Sequence, residues 1–133
     1  MTQAYRQNIE LKKEIIDVAL SLSRETNYDI YYLLSICSGL GLDKAQFYDQ
    51  LLSAMALLFV SGKIEYSECS YAAGAITTEE HWVLPPTAFD ICRAIEEGEV
   101  RDPNNPGLTD EELIFRPILS TLLELNILVP VGS

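Results

Sequence analysis

The chain has 133 residues, 48% of them hydrophobic and 22% charged, a globular composition long enough to bury one core without disulfide or metal staples. Its formal net charge is −11, divided unevenly: 7 acidic and 6 basic residues lie up to Ile64, against 13 acidic and 3 basic from Glu65 onward. Such a field repels phosphate and favours basic surfaces, so it argues against nucleic acid as the natural partner. The longest apolar run, Leu51 to Val60, contains Ser53 and is about half of the roughly 20 residues that cross a bilayer. Glu10, Glu14 and Asp17 interrupt the opening segment, which therefore does not read as a secretory signal. A single cytoplasmic domain over 1–133 with no membrane contact is the expectation. Cys37, Cys69 and Cys92, odd in number and outside any CxxC pair, read as reduced thiols.

In chain order, Leu11, Ile15, Val18, Ala19 and Leu22 recur at helical spacing and predict a first helix over Gln3–Arg24. Ile9, Ile16 and Leu20 widen its apolar band, which implies contacts on two sides, one of them a second subunit. Tyr28–Cys37 forms a short helix that stops at Ser38-Gly39-Leu40-Gly41. Asp43 and Gln46 then make a capping box for a longer helix, with Phe47, Leu51, Ala54, Met55, Leu58 and Phe59 on one face and Gly62 as its stop.

From Ile64 the pattern alternates. Ile64 and Tyr66, then Trp82 and Leu84, predict a two-stranded hairpin around the small-residue loop Ala72-Ala73-Gly74-Ala75. Pro85-Pro86 end it, and Thr87 caps a helix from Ala88 to Glu97. Arg101–Gly107 is a loop, and Thr109 with Glu112 is a capping box for Asp110–Phe115. Pro117 either kinks that helix or starts a new one through Leu125, Asn126 ends it, and Ile127-Leu128-Val129 adds a short strand. The fold class is mainly α with a small β-hairpin: a trihelical core plus hairpin over 1–85, then further helices over 86–133.

Helix, Gly-rich turn, longer helix and hairpin over about Tyr28–Leu84 resemble the winged helix-turn-helix superfamily, and Thr87–Val129 echoes that helix-to-strand junction as a degenerate half-repeat. The resemblance implies that the Lys44–Ser61 helix is the one presented to a partner. Its candidate interaction surface is Lys44, Gln46, Tyr48, Gln50 and Ser53, with Trp82 from the hairpin. Were the partner DNA, phosphate contacts would fall to Arg6, Lys12, Lys13, Arg24 and Lys44. One Lys, no Arg and one opposing Asp on the helix, with Glu65, Glu68, Glu79 and Glu80 on the hairpin, make a poor electrostatic footprint for that role. Tyr28, Tyr31, Tyr32, Tyr48 and Trp82 are aromatics of the kind found at protein interfaces.

No catalytic constellation emerges. A hairpin centred on Ala75 would set His81, the sole histidine, across from Cys69, without a third group to orient the pair. One His and scattered thiols lack the spacing of a zinc site, and Ser38–Leu42 lacks the Lys-Ser or Lys-Thr of a phosphate loop. The expectation is a non-catalytic domain without cofactor or metal that acts through protein contacts, as a homodimer or as an adaptor for a basic partner. A DNA-binding regulator is the alternative and a small-ligand binder or enzyme the third.

Overall fold

The computed structural model describes residues 5–24, 30–79, 84–97 and 114–131. In order these form β1 (Tyr5–Gln7), α1 (Lys13–Arg24), α2 (Ile30–Gly39), α3 (Lys44–Val60), α4 (Tyr66–Glu79), α5 (Pro86–Glu97), α6 (Arg116–Glu124) and β2 (Leu128–Pro130). Helix dominates, as expected, and the described strands form one small antiparallel sheet.

The centre of the fold is α3, against which α1, α2, α4, α5 and α6 all pack. Phe47, Tyr48, Leu51, Leu52, Ser53, Ala54, Met55, Ala56 and Leu58 are buried, which covers every side of the helix rather than the single face expected.

 

The start of α3 is the expected capping box: Asp43 Oδ1 accepts from the Gln46 N–H at 2.8 Å, and Gln46 Oε1 accepts from the Asp43 N–H at 3.1 Å.

Three helices end on one device. The N–H of Leu42 donates to Cys37 O, that of Lys63 to Leu58 O and that of Ile127 to Leu122 O, with the preceding residue left-handed each time: Gly41 at φ 69°, Gly62 at φ 80° and Asn126 at φ 60°. This is a Schellman stop, in which a residue tolerant of positive φ lets the chain close over the last orphan carbonyls. The echo between the ends of α3 and α6 is this device, and α2 shares it.

The hairpin expected after α3 is corrected. Tyr66–Glu79 is helix α4, so neither a strand from Ile64 to Tyr66 nor a loop at Ala72–Ala75 forms; the second arm at Trp82 lies outside the described residues. Cys69, Ala72, Ala73 and Ile76 are buried, spaced as one helical stripe, and alanine is the strongest helix former. Glu68 Oε1 accepts from the Glu65 N–H at 2.9 Å, and Tyr66 Oη donates to Ile95 O at 2.6 Å, tying the start of α4 to the last turn of α5.

The first helix is shorter than expected. Tyr5–Gln7 is a strand and α1 begins at Lys13. β1 pairs antiparallel with β2, Tyr5 opposite Pro130, Arg6 opposite Val129 and Gln7 opposite Leu128. The strand expected at Ile127–Val129 is thus present, shifted by one residue. α5 starts at Pro86 rather than Ala88, and the side chain capping it is Asp49 of α3, whose Oδ1 accepts from the Ala88 N–H at 2.8 Å. The helix expected over Asp110–Phe115 lies mostly outside the described residues, and α6 spans Arg116–Glu124 with Pro117 in its first turn.

Candidate functional site

Two residues of the interaction face expected on α3, Tyr48 and Ser53, are buried. Tyr48 is 1% exposed, edge-to-face with Phe47 at 5.5 Å between ring centroids, and Ser53 is 2% exposed with its hydroxyl donating to Asp49 O. Gln50 is half-buried, Gln46 is occupied in the capping box, and only Lys44 and Gln46 of the set are exposed. Trp82 lies outside the described residues, as do Tyr28 and the side chains of Tyr31 and Tyr32. The physical reason is that α3 is ringed by helices, so its short polar side chains bond inward to backbone.

The five cations proposed for phosphate are exposed but dispersed. Arg6 is on β1, Lys12 reaches Leu40 O at 3.5 Å, and Lys13 and Arg24 mark opposite ends of α1, roughly 16 Å apart at 1.5 Å per residue. Lys44 starts α3.

Asp49 does structural work. Burial raises its carboxyl above the ordinary value, the hydrogen bond from Ala88 pulls the other way, and Asp43 adds to the rise. Cys69 is fully buried, and desolvation, with Cys92 beside it, pushes its thiol up to about 12. A thiol held protonated in this way is a poor nucleophile. His81, its expected partner, lies outside the described residues. Among the described residues no group of three His, Cys, Asp or Glu side chains could hold a metal ion. None of the described helices is long and apolar enough to cross a membrane.

What the fold does build is a cleft of about 640 Å³. One wall is the sheet, where Tyr5, Gln7 and Leu128 share the inward face while Arg6 and Val129 take the other side of the pleat. Leu11 and Ile16 come from the start of α1 and the segment before it. The floor is the last two turns of α3, with Ala54, Leu57, Leu58 and Val60, and the far wall is Phe115 and Leu119. Phe115 is held against Phe59 at 6.0 Å between centroids. Ser61 and Lys63, on the turn that Gly62 makes possible, form the rim.

Its polar groups are few and mostly engaged. Gln7 Nε2 donates to Ile9 O at 2.7 Å and Ser61 Oγ to Leu58 O at 3.1 Å. Lys63 is the one charged side chain among the described residues of the lining, and it is exposed.

None of these cleft residues was singled out from sequence as a site. The sheet that makes its wall joins positions more than a hundred residues apart, which no local period encodes. The signal that did exist was the second apolar side of α1, whose Ile16 lines the cleft. No family model, curated protein or solved structure matches the chain.

Proposed function

We propose that this chain is a non-catalytic binding domain with a regulatory or adaptor role, and that the cleft between the sheet, α1, α3 and α6 is where it binds. The observation that carries the reading is the cleft itself, about 640 Å³ with walls of Leu, Ile, Val, Phe and Ala and a few polar groups at its edge. Concave apolar sites of roughly 300–1,000 Å³ are the usual form of a small-molecule site. Burial of Cys69 with its thiol held protonated is in keeping with a non-catalytic role.

Protein contacts enter this proposal through the exposed large apolar side chains Tyr71 (50%) and Phe89 (40%), on a chain whose charge of −11 suits a basic partner. The winged-helix resemblance enters only as the order of α1, α2 and α3. Burial of Tyr48 and Ser53 gives no support to docking α3 in a DNA groove.

The test is binding of the uncharged fluorescent probe N-phenyl-1-naphthylamine. The intact protein should enhance its emission saturably, and Leu57→Trp, which fills the cleft from a half-buried position, should abolish the enhancement while leaving the thermal unfolding curve in place. No saturable enhancement by the intact protein, or the same enhancement by both proteins, would remove the cleft as a binding site.

A further inference from the structure

We infer that the cleft takes a single-chain amphiphile with a carboxylate head, a free fatty acid of medium length, its head at Lys63 and its tail along α3. This rests on the binding reading of the cleft and adds the ligand's chemistry. The argument for the head is charge. On a chain of net charge −11, the described residues of the cleft lining include one charged side chain and it is a cation, set at the rim where an ionised group keeps contact with water. Of its polar neighbours on the described lining, Gln7 Nε2 and Ser61 Oγ each donate to a backbone carbonyl, and Lys63 is the one that offers an anion a full positive charge.

The argument for the tail is shape. Cleft residues on α3 run from Ala54 to Val60 and continue into Ser61, about 10 Å at 1.5 Å per residue, the length of roughly eight methylenes. Leu57, Leu119 and Phe115 line this path, with no acidic side chain among the described residues of the lining. A membrane lipid presents the same chemistry, but the −11 charge repels an anionic bilayer, and a free amphiphile does not meet that barrier.

Displacement of N-phenyl-1-naphthylamine by decanoate and by decanol, both below their aggregation concentrations, tests the inference. Decanoate should bind about tenfold more tightly than decanol at low salt, and shortening the acid should weaken it about fourfold per methylene. Lys63→Met should bring the two ligands to equal affinity while still binding the probe. Equal affinities in the intact protein, or an acid preference that survives Lys63→Met, would overturn the carboxylate assignment while leaving the cleft a binding site. Co-sedimentation with vesicles of phosphatidylserine and phosphatidylcholine, lost in Lys63→Met, would assign the site to a membrane lipid instead. A dimer of the intact protein that Leu57→Trp splits would assign the cleft to a second copy and overturn the ligand.

Discussion

Helices α3 and α4 are adjacent in sequence and both helical, yet one can be read from its residues and the other was read as strand and loop. In α3 the large side chains Phe47, Leu51, Met55 and Leu58 stand out against polar neighbours, and the capping box and Gly62 mark both ends. In α4 the same helical spacing is written in Cys69, Ala72, Ala73 and Ile76, side chains so small that the stripe has little contrast. Small residues let the helix lie close to α1 and α5, with which it packs. Periodicity is legible in proportion to side-chain size, whereas burial is not.

The largest expected effect tests α3 as the hub. Phe47 is fully buried, and Phe47→Ala should cost about 3–5 kcal/mol in denaturant unfolding. A loss under 1 kcal/mol would mean that α3 is not central. Next comes the stop between the two helices: Gly62 sits at φ 80°, so Gly62→Ala should cost about 1–2 kcal/mol although a Cβ there meets nothing within 4 Å.

Asp49→Ala should cost about 1 kcal/mol through loss of the cap on α5. Asp49→Asn keeps an oxygen for the Ala88 N–H and removes the buried charge. Because the folded carboxyl is raised, the folded state holds that proton more tightly than the unfolded chain. Stability from this group is therefore present below the ordinary carboxylate value and lost as pH rises through the raised one. Asp49→Asn should gain on the parent over that window and match it in acid; a gain that grows on acidification would have the sign wrong. The smallest effect runs the other way. Gly74→Ala in α4 meets nothing within 4 Å and needs no positive φ, so it should stabilise by about 0.5–1 kcal/mol, as a helix interior requires and a loop would not.

The order of α1, α2 and α3, the capping box on α3, the glycine and asparagine stops and the strand near Leu128 were legible because each is local chemistry. The cap on α5 was not, since Asp49 reaches it from another helix. The α3 face was misassigned for the reason that buries it: Tyr48 and Ser53 look polar in sequence but bury a ring and return a hydroxyl to the backbone. The cleft depends on tertiary closure and left only the broad band of α1 as a trace.

That closure has a kinetic side. The main helix pairs lie tens of residues apart, whereas β1 and β2 come from opposite ends of the described chain, and beside them the Asn8 side-chain amide donates to Asn126 O, 118 residues away. Contacts of such long range are the slowest to gain from ordering and the first to open. The sheet is therefore the last piece to seat on an already assembled helical body. Since it supplies a wall of the cleft, the protein acquires its helices before its cleft is complete, and the ligand proposed for that cleft would act as a latch on the two strands.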